Sequence, residues 1–381
     1  MIGTVRLCGL GVVFVALAIG QTWERARDLG VPFEGTPGRW NAITDVKGVE
    51  VGHQTLISGE TVRTGVTAIF PRGKADDMRV FAGYFSQNGN GEMTGTAWVE
   101  ESGFAESPIM ITNTHSVGTV RDAVIQWQLK HANKRLTEDD FWSLPIVAET
   151  FDGYLNDING FHVRAADTFH ALDTAKSGPV EEGSVGGGTG MVCYGFKGGI
   201  GTSSRVLDAK DGGYTVGVLV QCNCGRRKLL RVGGVPVGAE IAQGVPYASA
   251  APGMDRDVGS IIIVVGTDAP LVPTQVKRLA RRATLGLART GSISANGSGD
   301  LFIAFSTGNR DFPRTGVSDL KMLANDVMDP LFEATVEATE EAIVNAMVAA
   351  PTMTGIEGHR VIGLPHEQLV QVLRKYNRLT R

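Results

Sequence analysis

Asp257-Val258-Gly259-Ser260-Ile261-Ile262-Ile263-Val264-Val265-Gly266-Thr267-Asp268 places a Gly-Ser step directly before a run of β-branched residues. Side chains branched at Cβ pack well on a pleated surface, and a run this dense predicts a strand buried on both faces. A serine heading such a strand is held rigidly, and the glycine before it admits backbone turns that a Cβ would forbid. The pair suits cleavage of the chain at Gly259–Ser260, with the Ser260 hydroxyl attacking the preceding carbonyl in an N-to-O acyl shift. The product is a serine with a free α-amine, which can act as general base for its own hydroxyl. The alternative is a plain Gly-Ser turn leading into a core strand.

Outward from this strand, apolar periodicity lays out a mixed α/β chain. Val49 to Leu56 and Gly65 to Phe70 read as paired strands, broken at Pro71-Arg72-Gly73. Pro108 to Thr112, Leu144 to Glu149, Tyr214 to Cys222 and Leu301 to Phe305 read as further strands. Val117 to His131 and Thr274 to Arg289 carry helical stripes, with Gly291 as a stop for the second. Asp329-Pro330 begins a long helix through Ala350. Strands interleaved with amphipathic helices predict one α/β unit. Residues 225 to 257, punctuated by Gly and Pro, read as a flexible segment or an ordinary surface loop just before the proposed cut.

Six further segments carry a resemblance: Trp40-Asn41-Ala42-Ile43-Thr44-Asp45-Val46, Asn113-Thr114-His115-Ser116-Val117-Gly118, Ala148-Glu149-Thr150-Phe151-Asp152-Gly153, Gly186-Gly187-Gly188-Thr189-Gly190-Met191, Gln221-Cys222-Asn223 and Gly297-Ser298-Gly299-Asp300. In order and spacing they resemble the L-aminopeptidase/D-esterase family, which includes the β-peptidyl aminopeptidases. The resemblance covers nearly everything after residue 30. It implies a self-processing serine enzyme with an N-terminal nucleophile. The implied fold is a four-layer αββα sandwich whose strand connectivity differs from that of the usual N-terminal-nucleophile hydrolases. It further implies one domain built from two chains, 21–259 and 260–381, assembled as a homo-oligomer, a tetramer by family likeness.

Amide hydrolysis by this route needs a nucleophile, a base, an oxyanion donor and a hold on the substrate. Ser260 is the nucleophile, and its freed amine titrates near about 7.7–8.0 when unperturbed. Ser298 and Asp300 stand two apart in extended chain, so both can face one side. By resemblance they orient the nucleophile and its amine, although the β-peptidyl members carry Glu where Asp300 stands. Otherwise Asn296 to Asp300 is turn chemistry. Asn223, at a strand end, matches the oxyanion asparagine. Glu149 matches the carboxylate that holds the substrate's ammonium group, and Asn113 and His115 line the same region. The family's second oxyanion donor, a tyrosine in some members, falls on Phe151, which has no hydroxyl; Tyr154 lies three residues on. A His115–Ser116 triad is set aside because sequence neighbours rarely face each other.

Composition narrows the partners. A formal charge of −4 argues against nucleic acid as the main partner. Fifty glycines fall in turns between apolar runs and mark many tight connections. Arg6 followed by the apolar stretch Leu7 to Ile19 reads as a secretory signal peptide ending at Gly20, with an uncleaved anchor as the alternative. Export to the periplasm or beyond follows, with no stable membrane contact after leader removal. Cys193, Cys222 and Cys224 then remain, an odd number, and read as buried thiols. No ligand set for zinc accompanies them, so neither metal nor cofactor is expected. Gly186 to Gly190 lacks the Lys-Ser/Thr of a phosphate loop, and the basic face of the 274–289 helix reads as solvated surface. A small peptide, amide or ester is the expected substrate. A threonine-nucleophile transacetylase of related architecture and a non-catalytic relative are the rival readings.

Overall fold

Strands buried on both faces build two sheets stacked face to face. The computed structural model describes residues 25–76, 79–131, 141–246, 259–310, 312 and 315–380. Its strands are β1 Glu50–Ser58, β2 Val62–Phe70, β3 Val80–Gly89, β4 Phe104–Ala105, β5 Ile109–Asn113, β6 Ile146–Thr150, β7 Val192–Cys193, β8 Phe196–Lys197, β9 Gly199–Val206, β10 Thr215–Asn223, β11 Ser260–Thr267, β12 Gly299–Ser306, β13 Met353–Thr354 and β14 Arg360–Val361. One sheet runs β1-β2-β5-β6, the other β4-β3-β12-β11-β10-β9, and β7 with β8 makes a separate hairpin. The helices are α1 Thr96–Ser102, α2 Val117–His131, α3 Ala165–Asp173, α4 Val237–Glu240, α5 Pro273–Arg289, α6 Asp329–Val348 and α7 His366–Lys375.

Three apolar layers separate the four structural ones. Val66, Ala68, Met110 and Val147 meet Val120, Val124 and Trp127 of α2 and Leu172 of α3 on one outer face. Ile69, Ile109, Ile111 and Ala148 meet Leu219, Ile262, Val264, Leu301 and Ile303 between the sheets. On the other outer face Val218, Val220, Ile261, Ile263, Val265 and Phe302 pack on Val276, Leu279 and Ala283 of α5 and Ala342 and Ile343 of α6. The expected αββα sandwich is this arrangement. It also explains the uninterrupted run in β11: odd residues face the helices, even ones the second sheet, and neither side is wet. Each fully buried Ile or Val there contributes roughly 1.5–3 kcal/mol.

The anticipated strands and helices are present, but β3, β4, β7, β8, β9, β13, β14, α1, α3, α4 and α7 escaped the sequence reading. Three other expectations are corrected. Residues 225–246 are packed core rather than a flexible segment: Leu230, Val232, Val235, Val237 and Ile241 are buried. Within them the buried Arg227 donates to the carbonyls of Tyr194, Ile241, Gln243 and Gly195. Residues 247–257 of that segment lie outside the described residues, as does the expected leader, 1–20. The cysteines are not all thiols, because Cys193 of β7 is bridged to Cys222 of β10. The Cys224 sulfur lies within 4.8 Å of both, yet disulfide sulfurs are not thiolate ligands. The basic face of α5 is partly covered: Arg278 and Arg282 lie over Phe332 of α6, and Arg281 over Phe85.

Candidate active site

The sheet register assembles the site at one end of the layer between the sheets. Antiparallel pairing of β10 with β11 sets Asn223 opposite Ser260, and Gln221 opposite Ile262. Ile262 belongs to the inter-sheet layer, so Ser260 and Asn223 open onto that same layer. Parallel pairing of β11 with β12 sets Ile261 beside Asp300. Both Ser260 and Asn223 are buried. A Cβ on Gly259 would lie 1.7 Å from the Asn223 carbonyl oxygen, so only glycine fits before Ser260.

The Ser298 hydroxyl donates to Asp300 Oδ1 at 2.6 Å, and between them the Gly299 N–H donates to Ser260 Oγ at 3.1 Å. The motif therefore reaches the Ser260 oxygen through its backbone, while its two side chains brace each other. Asn223 is held at both ends of its amide. Val192 N–H of the β7 hairpin donates to Asn223 Oδ1 at 2.7 Å, and Asn223 Nδ2 donates to the Phe151 carbonyl at 2.8 Å. The primary amide carries two protons on that nitrogen, and these contacts use one of them. The Cys193–Cys222 bridge ties the same hairpin to β10 on the residue adjoining Asn223.

Glu149 is the penultimate residue of β6 and is 3% exposed. Its Oε1 accepts from Glu92 N–H at 2.9 Å and its Oε2 from the Thr114 hydroxyl at 2.5 Å. Burial raises its pKa above the ordinary value, offset in part by those two donors; Glu92 pushes it further up and His115 pulls it down. Among the described residues no cation pairs with it. A buried carboxylate without a cationic partner is a ready receiver for an ammonium group. His115 is exposed and stacks on Phe161, with ring centroids 5.9 Å apart. Phe151 and Phe161 are 44% and 54% exposed, so two aromatic rings stand open to solvent in the chain flanking the acid.

Asn113 faces elsewhere than expected. Its Nδ2 donates to Thr64 Oγ1 at 2.8 Å and to Asp152 Oδ2 at 3.1 Å, inside the protein. Asp152 also accepts from Asn156 Nδ2 at 3.1 Å, and burial raises its pKa to about 6 against those donors. This network anchors the turn that carries Phe151. Tyr154 stacks on His359 with centroids 4.4 Å apart and packs beside Leu155, Val192 and Val361. Sequence reasoning passed over Thr114, Asp152 and Val192. The first two lie inside quoted motifs and could have been weighed there. The third acts only through its backbone and leaves no side-chain signal.

A family model for peptidase family S58 matches residues 41–361. Beta-peptidyl aminopeptidase BapA of Sphingosinicella microcystinivorans is 53% identical, over 96% of this chain and 96% of that protein. The BapA of Sphingosinicella xenopeptidilytica is 47% identical, over 98% and 96%. Among solved structures, the L-aminopeptidase D-Ala-esterase/amidase of Ochrobactrum anthropi, a variant of the Ntn hydrolase fold, superposes with a TM-score of 0.88 at 47% identity, over 93% of this chain and 99% of that one. A Burkholderia sp. beta-aminopeptidase superposes with a TM-score of 0.85 at 50% identity, over 92% and 99%.

Proposed function

The chain belongs to peptidase family S58, and from that premise we propose that it is an aminopeptidase that cuts itself at Gly259–Ser260 to release its own catalytic base. It is a peptide-bond hydrolase of the serine aminopeptidase kind. The observation that carries the finer reading is the convergence on Ser260 of Asn223 from β10 and Gly299 N–H from β12.

In the precursor, Ser260 Oγ bonds to the Gly259 carbonyl carbon and the C–N bond breaks, leaving the α-amine free and the 259 acyl group as an ester on Ser260. Water hydrolyses that ester, giving a carboxylate at Gly259 and a free hydroxyl at Ser260. In turnover the α-amine takes the hydroxyl proton as Ser260 Oγ attacks the substrate carbonyl, then returns it to the leaving amine; water, deprotonated by the same amine, cleaves the resulting ester and restores the Ser260 hydroxyl. The second Nδ2 proton of Asn223 stabilises the oxyanion, a contribution worth on the order of 10²–10³ in rate for such donors. Glu149 holds the substrate's ammonium group, with Phe151, Phe161 and His115 flanking its first residue. Identity to two β-peptidyl aminopeptidases favours substrates with an N-terminal β-amino residue. Leader removal after Gly20, a periplasmic location and a tetramer of cleaved heterodimers complete the reading; the Cys193–Cys222 bridge accords with an oxidising compartment.

Mass spectrometry of the purified protein tests it. Two chains, 260–381 and the part before it, are expected from wild type, and one inactive chain from Ser260→Ala. A fully active, uncut polypeptide would overturn the mechanism. Acetylating the substrate's amine should abolish turnover, and equal rates on both forms would remove Glu149 from its role.

A further inference from the structure

Between β3 and α1 the chain leaves the six-stranded sheet and crosses to the four-stranded one, over the end of the layer where Ser260 and Glu149 sit. It begins at Asn88, paired with Asp300 across an irregularity in the β3–β12 register. Bulges of this kind re-aim side chains beside sites. Asn88 Nδ2 donates to the Ala295 carbonyl at 2.9 Å and to the Ser298 carbonyl. Asn90 Nδ2 donates to the Gly297 carbonyl at 2.8 Å. Two residues on, Glu92 N–H donates to Glu149 Oε1. Met93 bridges Ala148, and Thr94 exchanges hydrogen bonds with Val147, docking the far end on β6.

The crossing point is Gly91. A Cβ there would lie 3.2 Å from Glu149 Oε1 and 3.2 Å from Gly299 Cα, so the strap is wedged between the amine-binding carboxylate and the residue that touches Ser260. From these contacts we propose that Asn88 and Asn90 are positioning residues for hydrolysis. Their amides pin the carbonyls of the 295–298 turn, which presents Gly299 N–H, Ser298 and Asp300 to the nucleophile. The strap they belong to sets the spacing between that nucleophile end and Glu149, and so the distance from ammonium to scissile carbonyl that a substrate must match. The side-chain amides of Asn88 and Asn90 bond to carbonyls of the turn and not to Ser260 or Glu149, so they act through other residues. The proposal rests on the reading of Ser260 and Glu149 above.

The test compares Asn90→Ala, Asn90→Asp, Asn90→Gln, Asn88→Ala and Gly91→Ala in the full chain, with Ser260→Ala alongside. Asn90 is exposed, so its variants should fold, and thermal melts verify this. Losing one such hydrogen bond should lower kcat by about 3–10-fold and slow precursor conversion in step, with KM for a free-amine substrate within about twofold. Asn90→Gln, which still donates, should recover part of the loss; the nearly isosteric Asn90→Asp, which cannot donate to a carbonyl, should not. Gly91→Ala should raise KM as well as lower kcat, because it presses on Glu149 too. Wild-type kcat in Asn90→Ala and Asn90→Asp, with changes only in melting temperature, would overturn the proposal. An active Ser260→Ala would instead overturn the nucleophile reading beneath it. An inactive Ser260→Ala beside wild-type strap variants would sink the strap alone.

Discussion

Two buried carboxylates, Glu149 near the end of β6 and Glu341 in the middle of α6, sit in opposite electrostatic settings. Glu341 accepts from Arg27 and Asn41 and pairs with Arg205 at 2.8 Å, itself paired with Glu337. Burial pushes its pKa up, but the Arg27 bond and the charges of Arg205 and Arg27 more than reverse this and hold it below the ordinary value. Glu149 has neutral donors only, and burial leaves its pKa raised. The first carboxylate has its countercharge built in and serves the fold. The second is buried and oriented by neutral donors with no cationic partner among the described residues, the setting on which its proposed role rests. Burial alone does not mark a candidate functional acid; burial with donors, no cation and a place at the end of the layer shared with Ser260 does.

The sharpest break of this comparison is to neutralise each acid in turn. Glu341→Gln leaves Arg205 and Arg27 short of a partner and should cost about 3–5 kcal/mol of stability. The folded fraction should keep its kcat/KM, and denaturant melts with activity assays separate the two effects. Glu149→Gln should melt like wild type but lose about 30-fold or more in kcat/KM on free-amine substrates, the lower end for removing one member of a buried charge pair. A stability loss in Glu149→Gln as large as that in Glu341→Gln would erase the distinction.

Acidity sharpens it further. Glu149 must be ionised to hold an ammonium, so kcat/KM should fall as pH drops through a pKa above the usual carboxylate range, and Glu149→Gln should flatten that limb. Asp152 shares the uncompensated setting, with a pKa raised to about 6. A raised carboxyl favours the fold while protonated: its contribution is whole below the unfolded value near 3.8, and is lost as pH rises through about 6. Two units correspond to roughly 3 kcal/mol. Melts between pH 4 and 8 should show this slope in wild type and not in Asp152→Asn. That variant should also lose about 1–3 kcal/mol, because one of its donors, Asn113 or Asn156, then faces an N–H. Glu341 must act with the opposite sign, its contribution fading as pH falls. The smallest effect belongs to the exposed pair Lys277–Glu100: Lys277→Ala should change stability by less than about 1 kcal/mol. A larger change would mean that α5 leans on that pair far more than an exposed contact allows.

The readable parts of this chain had local signals. The run Ile261 to Val265 announced a strand wet on neither side, and Pro330 opened α6 where the sequence placed it. Ser260, Asn223, Glu149 and Asp300 could be named because each lies in a short motif of family-like spacing. β3 was missed because Tyr84 to Gln87 mixes polar with apolar residues at the end of the strand that carries the strap, and Asn88 to Gly91 reads as an ordinary turn. Leu230 to Ile241 looked like a linker because its apolar anchors follow no period; they pack as separate plugs rather than as a face. The Cys193–Cys222 bridge joins residues 29 apart in sequence, and nothing local foretells that a hairpin folds onto β10.

By itself the sequence determined which residues are branched, apolar or small, and hence the sandwich, the buried strand behind Ser260 and the identity of the site's side chains. Those depend on neighbours within a few residues, which periodicity records. The tertiary structure decided which carboxylates keep a cation, that Gly299 reaches Ser260 through its backbone, that Asn113 turns inward to Asp152, and that one strap ties the turn beside Ser260 to Glu149. Each of these depends on groups far apart in the chain brought together by strand register. Charge pairing and backbone hydrogen bonds across such distances leave no trace in local composition.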